Sequence, residues 1–294
     1  MKKIFLTGSS GLLGSGIYNL LKKKYKILRI SNNKKYKKSS KIIYCNFEST
    51  QNIKNFIKKK GIPDYFIHAG WGKMNEPNST YHLRENIKIS KNLIKEFYYN
   101  GLKNFIFIGT IHEYGDSKGC IKENAKPKGK LRRYEKGKLL FGLFGKSIST
   151  KLKKVFIHIR LANLYGPIKK KNSLIFSMHE AQKKKRDLNV SALDFYRDYL
   201  HSYDATLGIK KILEKCNETK IINLGSGKKV YMKKFIQTYW NIINKSNKNL
   251  IFKKNYKKSD YKGFYLSNSL LKKITSWKPK SELYGIKKNV KLFK

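Results

Sequence analysis

The sequence predicts an α/β protein: a doubly wound parallel sheet with a smaller mixed lobe toward the C-terminal end. Three observations predict it. Short apolar runs alternate with longer amphipathic ones through the first half and on to Arg160, as parallel βαβ units require. A glycine-rich turn, Thr7-Gly8-Ser9-Ser10-Gly11-Leu12-Leu13-Gly14, directly follows the first apolar run and opens the first amphipathic one. After Tyr165-Gly166-Pro167 the alternation loosens into Lys-rich, less regular sequence.

Taken in order, Lys3–Leu6 reads as a strand. Leu12–Lys23 reads as a helix, because Leu12, Leu13, Ile17, Leu20 and Leu21 recur near i, i+4, i+8. Tyr25–Ile30 and Ile42–Tyr44 are the next strands. Gln51–Lys59 is a helix stopped by Gly61 and Pro63. Tyr65–His68 is a strand, Arg84–Tyr99 a helix and Asn104–Ile108 a strand. The unbroken apolar character of Phe105–Ile108 suits a strand covered on both faces. Tyr134–Ser149 reads as a helix and Val155–Arg160 as a strand. Residues 1–167 therefore form the sheet domain, completed by about 196–227 (Arg197–Glu214 and Lys220–Leu224). Residues 168–195 and 228–294 form the smaller, partly helical lobe.

A 294-residue chain suffices for one large domain or two intimate ones. Forty per cent hydrophobic and 13% aromatic content exclude a disordered chain. The net charge of +49 suggests nucleic acid at first sight. Its make-up argues otherwise: of 67 basic residues only seven are Arg, and the lysines are spread along the whole chain. Bases and phosphates are better read by Arg, whereas abundant Lys, Asn and Ile follow from an AT-rich coding sequence. The Lys runs 22–24, 58–60, 169–171 and 183–185 read as solvated faces. The surplus positive field can still draw in an anionic substrate. Three scattered cysteines, Cys45, Cys120 and Cys216, exclude a disulfide framework and a CxxC zinc site, and fit a reducing, cytoplasmic compartment. His82, His158 and His179 have no ligand-like spacing, so no metal is expected. The apolar run in MKKIFLTGSSG breaks after Leu6, short of the ~7–15 residues of a signal peptide's apolar region. No stretch approaches the ~18 apolar residues of a membrane span.

Glycines at 8, 11 and 14 permit a tight turn, close approach of a pyrophosphate and close helix–strand packing. A helix N-terminus there offers free N–H groups to phosphates. A dinucleotide site usually has an acid about 20 residues on, for the adenosine ribose. Here no acidic residue occurs before Glu48, and the second strand runs into Arg29-Ile30-Ser31-Asn32-Asn33-Lys34-Lys35. The missing carboxylate tolerates a 2′-phosphate and favours NADP(H), with NAD(H) as the alternative. Tyr134-Glu135-Lys136-Gly137-Lys138 is a YxxxK, whose two side chains share one helix face. An ammonium beside a phenol is expected to lower its pKa and make Tyr134 a general acid/base near neutral pH. Thr110, at the end of the strand Asn104–Ile108, is placed to bond the same substrate oxygen.

With these motifs in order, the sequence resembles the extended short-chain dehydrogenase/reductase family, the NAD(P)-dependent nucleotide-sugar epimerases, dehydratases and 4-ketoreductases, over nearly its whole length. Thr7–Gly14 matches that family's TGxxGxxG, and Thr110-Ile111-His112-Glu113-Tyr114-Gly115 with Tyr134 and Lys138 resembles its catalytic segment and pair. Arg160-Leu161-Ala162-Asn163-Leu164-Tyr165-Gly166-Pro167 resembles RxxNxYGP, and Arg197-Asp198-Tyr199-Leu200-His201 resembles RDYxH. Asn223-Leu224-Gly225-Ser226-Gly227 and Trp277-Lys278-Pro279 match late landmarks.

The resemblance implies an NAD(P)-binding Rossmann domain, a substrate-binding lobe and a homodimer. It implies Thr110, Tyr134 and Lys138 as catalytic residues. It implies cofactor contacts from Gly8, Ser10, Gly11, Leu12, Leu13, Asn32, Asn46, Phe47, His68, Ala69, Gly70, Asn86 and Lys138. For a nucleotide-diphosphate sugar it implies Asn163 and Arg197. His112 and Glu113 beside Thr110 read as substrate groups or as structural ones, and Trp71 as a cover near the sugar or as a packing residue. His68 reads as a packed residue behind the cofactor.

The sequence also departs from that pattern. Family dehydratases carry Thr-Asp-Glu where this chain has Thr110-Ile111-His112; neither replacement is a carboxylate, so dehydration is disfavoured. Arg132-Arg133 precede Tyr134 where a small residue or Pro is usual, and Lys257 stands where an Arg often clamps the diphosphate. The expected function is an oxidoreductase at C4 of a nucleotide-linked 6-deoxy sugar, a 4-ketoreductase. A 4-epimerase with retained NAD is the alternative. A non-catalytic NADP-binding or RNA-associated basic protein is the rival from another class.

Overall fold

The computed structural model describes residues 1–167, 173–190, 194–246, 248–253 and 263–293. The Lys run 169–171 and Lys257 lie outside the described residues. The first part comprises β1 (Lys3–Thr7), α1 (Leu12–Leu21), β2 (Lys26–Ser31), β3 (Ile43–Tyr44), α2 (Thr50–Lys60), β4 (Tyr65–His68), α3 (Glu85–Tyr99) and β5 (Asn104–Ile108). There follow β6 (Gly119–Ile121), α4 (Arg133–Lys151), β7 (Val155–Leu161), β8 (Asn163–Tyr165), α5 (Leu174–Lys183), β9 (Leu188–Val190), β10 (Tyr196–Arg197) and β11 (Tyr199–His201). The chain continues through α6 (Ser202–Lys215), β12 (Lys220–Leu224), β13 (Val230–Tyr231), α7 (Met232–Asn244), β14 (Leu250–Phe252), β15 (Phe264–Leu266), α8 (Ser269–Thr275) and α9 (Glu282–Phe293).

Among the described residues the main sheet has seven strands in the order β12-β7-β5-β4-β1-β2-β3, and every adjacent pair is parallel. Strand alternation sorts the core by side-chain type. Ile4, Leu6, Ile67, Ile106 and Ile157 point to one face, where they pack with Ile17 of α1 and Ile209 of α6. Phe5, Phe66, Phe105, Phe107 and Phe156 point to the other, beneath Ile53 of α2, Leu93 of α3 and Phe141 of α4. Period-two alternation with both faces covered is why these strands read as continuous apolar runs. The Ser49 hydroxyl caps α2, and Gly61 (φ +69°) ends it.

A third core, with Tyr165, Met178, Phe235, Tyr239, Trp240, Ile286 and Val290, is built largely from residues expected in the smaller lobe. One segment departs from the sequence reading. Residues 264–277 were expected in that lobe, but Phe264, Leu266, Leu271 and Trp277 bury against the aliphatic face of the main sheet. β15 pairs in parallel with β6, a pairing across more than a hundred residues that no local pattern announces. Within the segment 197–214, β10 and β11 precede a helix that starts at Ser202. Among the described residues no helix is long and apolar enough to cross a membrane.

Candidate active site

The glycine turn connects β1 to α1 at the C-terminal edge of the sheet, next to the point where strand order reverses. Gly8 has φ +70°, and a Cβ on it would lie 2.5 Å from the Ala69 carbonyl oxygen, so only glycine fits. Gly11 differs: a Cβ there would meet nothing nearer than the Gly8 carbonyl oxygen, at 3.5 Å. The protein's own packing leaves that position open, while Ser10 and Gly11 are exposed and no side chain caps α1. An open, glycine-lined helix start fits a dinucleotide pyrophosphate. Leu12 and Leu13 are half-buried in the first turn of α1.

At the end of β2, Asn32 is half-buried. The Arg29 Nε–H donates to Ser9 Oγ at 3.2 Å, and its guanidinium lies 4.6 Å from the Tyr18 ring. This link from β2 back to the glycine turn was not singled out in the sequence; Arg29 was readable there only as one cation among many. Asn46 and Phe47 follow β3: Asn46 accepts the Glu48 N–H at 3.1 Å, and Phe47 is buried.

Behind the turn, a hydrogen-bonded chain orders the end of β4. Gly70 N–H donates to Thr7 Oγ1 at 3.0 Å, Thr7 Oγ1 meets His68 Nδ1 at 2.8 Å, and His68 Nε2 meets Ser90 Oγ at 2.9 Å. Burial, aided by the Lys138 charge, pushes the His68 pKa down to about 3, so the ring is neutral and structural. Ala69 is half-buried beside the turn. Asn86 is used within the protein: it accepts Gly72 N–H at 2.9 Å and donates to Gly72 O at 3.0 Å. Trp71, expected as a cover near the sugar, is buried instead. Its indole N–H donates to His82 Nδ1 at 3.2 Å, and its ring packs 5.9 Å from Phe107. Apolar contact on the aromatic face of the sheet holds it there.

Thr110, Tyr134 and Lys138 come together where β5 ends beneath α4. The Thr110 side chain stands close enough to the Tyr134 phenol to favour its ionised form. Tyr134 N–H donates to Pro77 O at 2.8 Å, and the His82 ring lies 5.4 Å from the Tyr134 ring. Lys138 is buried; its Nζ donates to Ile108 O at 2.7 Å and sits 5.4 Å from the Tyr134 ring centroid. The expected downward shift of Tyr134 is not what this arrangement produces. Burial of the phenol pushes its pKa up, only partly opposed by the Thr110 side chain. Burial also lowers the Lys138 pKa to about 8, against the pull of Glu113. The enclosure that brings the pair together thus disfavours both charged forms.

Three of the residues expected to meet a substrate, His112, Asn163 and Arg197, lie together beside this cluster. β8 and β11 run parallel, with Asn163 opposite Tyr199. His112 Nε2 meets Asn163 Oδ1 at 3.0 Å, and Asn163 Nδ2–H donates to Asp198 O at 3.2 Å. His112, Asn163, Lys130, Arg132 and the exposed Arg197 line a cavity of about 280 Å³. Burial lowers the His112 pKa, partly opposed by its bond to Asn163. A larger cavity of about 710 Å³, bordered by Lys228, Lys272 and Trp277, holds none of the expected site residues. Glu113 reads from the sequence as a substrate group or a structural one; the capping-box spacing of Thr110-Ile111-His112-Glu113 points to the structural part it takes here. Its carboxylate accepts the Thr110 N–H at 2.8 Å.

The model of the NAD dependent epimerase/dehydratase family matches residues 4–225 of the chain. A search of curated proteins finds no match. Among solved structures, a UDP-N-acetylglucosamine 4-epimerase from Bacillus cereus superposes with a TM-score of 0.84 at 19% identity, covering 100% of each chain. RMD from Pseudomonas aeruginosa, complexed with NADPH, gives a TM-score of 0.83 at 17% identity, covering 100% of this chain and 99% of that one. A dTDP-glucose 4,6-dehydratase from Bacillus anthracis, in complex with NAD, gives 0.82 at 16% identity, covering 100% of this chain and 96% of that one. At these identities the likeness is one of fold.

Proposed function

The chain belongs to the NAD-dependent epimerase/dehydratase family, and on that premise we propose that it is a 4-ketoreductase that uses NADP(H) on a nucleotide-linked 6-deoxy sugar. The observation that carries reduction over dehydration is the fate of the carboxylate in the catalytic turn. Elimination of water needs an acid and a base free to meet the sugar. Ile111 is hydrocarbon, and Glu113 is 0% exposed and committed to Thr110, His158 and Arg160. The phenol of Tyr134 remains as the group suited to pass a proton to a C4 oxygen.

Bound nicotinamide supplies or accepts the hydride. Tyr134, kept protonated through neutral pH by burial, donates its proton as the C4 oxygen gains charge. Thr110 orients the phenol. The Lys138 ammonium, present below about pH 8, stabilises the phenolate left behind. Arg197 meets the sugar diphosphate from the rim of the 280 Å³ cavity. The open glycine turn takes the dinucleotide phosphates, and Arg29, with no acid between β2 and Glu48, favours a 2′-phosphate.

Incubation with NADPH and dTDP-4-keto-6-deoxyglucose, or its UDP, GDP or CDP counterpart, is expected to consume the reductant. Protein that retains NAD and interconverts C4 epimers without consuming reductant would instead be a 4-epimerase. Tyr134→Phe is expected to lower kcat about 10²–10⁴-fold; full turnover in that variant removes Tyr134 as the acid.

A further inference from the structure

We infer that Glu113 is a positioning residue for the reaction proposed above, a buried carboxylate that fixes Thr110 against Tyr134 and keeps a negative charge beneath the catalytic pair. The inference rests on that reading of Tyr134 as the acid. Glu113 caps the short helical turn Ile111–Tyr114 in a reciprocal capping box with Thr110. Its Oε1 accepts the Thr110 N–H at 2.8 Å and lies 3.1 Å from His158 Nε2; its Oε2 accepts the Arg160 Nε–H at 3.2 Å.

The surroundings leave this carboxylate no freedom. A Cβ on Gly109 would collide with both His158 and Glu113, and one on Gly142 would collide with the other side of the His158 ring. Two glycines, one at the end of β5 and one in α4, therefore make the slot that His158 fills. Arg160 is held in turn: its guanidinium lies 4.4 Å from the Tyr114 ring, and its Nη1–H donates to Glu123 O at 3.3 Å. Tyr114 O–H donates to Asn223 Oδ1 at 2.8 Å, and Asn223 N–H donates to Glu123 Oε1 at 3.1 Å. Capping one helical turn needs only a neutral acceptor, and a buried ion pair is weak as a source of stability. A charge retained here at 0% exposure has a use where it lies, under Thr110, Tyr134 and Lys138.

That use is electrostatic. The Glu113 charge works to raise the proton affinity of both Tyr134 and Lys138. It thereby keeps the phenol a donor and the lysine an ammonium. Tyr134 is also faced by Arg132, Glu135 and Lys138 of its own helix, by Thr110 from the end of β5 and by His82 from the turn Thr80–His82. Glu113 is faced by His158 and Arg160 from β7.

Glu113→Gln keeps an oxygen for the Thr110 N–H and removes only the charge. Assayed with NADPH and the 4-keto-6-deoxy sugar nucleotide, it is expected to lower kcat about tenfold with both KM values within about twofold. Its alkaline limb of kcat is expected at lower pH than that of the unmodified protein. Glu113→Ala is expected to lose more, so that Gln recovers part of the loss. An unchanged kcat and a superimposable pH profile in Glu113→Gln overturn the inference. Should that variant fail to fold, with Arg160 left unpaired, Glu113→Gln combined with Arg160→Met removes both charges and is judged by the same two outcomes. Tyr134→Phe, run in parallel, separates the two readings. An inactive Tyr134→Phe beside a Glu113→Gln of unmodified profile refutes the role of Glu113 alone, whereas an active Tyr134→Phe refutes the reaction itself and this inference with it.

Discussion

Replacing Lys138 by Met asks whether the site holds its ammonium at a cost to the fold. Lys138 is 4% exposed, and its pKa falls from 10.5 to about 8, chiefly through burial. A shift of that size corresponds to about 3 kcal/mol of destabilisation of the folded state at pH 7. Met has a similar shape and no charge, but it cannot donate to Ile108 O, a bond of 2.7 Å. The unmatched carbonyl costs about 1–2 kcal/mol. The variant is therefore expected to be about 1–2 kcal/mol more stable near neutrality, a rise in Tm of about 2–6 °C.

The difference has a definite pH dependence. The unfolded lysine keeps its proton to its ordinary 10.5, while the folded one releases it near 8. The unfolded state thus binds more protons across that window, and the unmodified protein gains stability as pH rises through it. The Met variant gains nothing there, so its advantage fades and reverses toward the alkaline end. Thermal unfolding of both proteins from about pH 6 to about pH 10 reads this directly. A Met variant that is less stable near neutrality, or a difference that stays level with pH, refutes the reasoning. Its turnover is expected to fall about a hundredfold even as stability rises.

Gly11→Ala is expected to leave Tm within about 2 °C, because the added Cβ meets only the Gly8 carbonyl oxygen at 3.5 Å. Its Kd for NADPH, by isothermal titration, is expected to rise at least about tenfold; an unchanged Kd means that the phosphates lie elsewhere. Arg29→Ala removes the guanidinium that reaches Ser9. It is expected to raise KM for NADPH about tenfold and that for NADH less than about twofold; equal effects on both coenzymes assign Arg29 a purely structural part.

What could be read from the sequence was local. The glycine turn from Thr7 to Gly14, the alternating elements through β7, and the i, i+4 placement of Tyr134 and Lys138 all follow from backbone periodicity and the freedom of glycine, which neighbours along the chain largely determine. The tertiary structure decided what depends on distant partners. It sent Phe264–Leu266 to pair with Gly119–Ile121, buried Trp71 against Phe107, tied Glu113 to His158 and Arg160, and reversed the expected direction of the Tyr134 proton equilibrium. Spacing along a helix can bring a phenol and an ammonium onto one face. The proton affinity of each is set by how much water and charge every other element leaves around them, and that sum exists only in the folded chain.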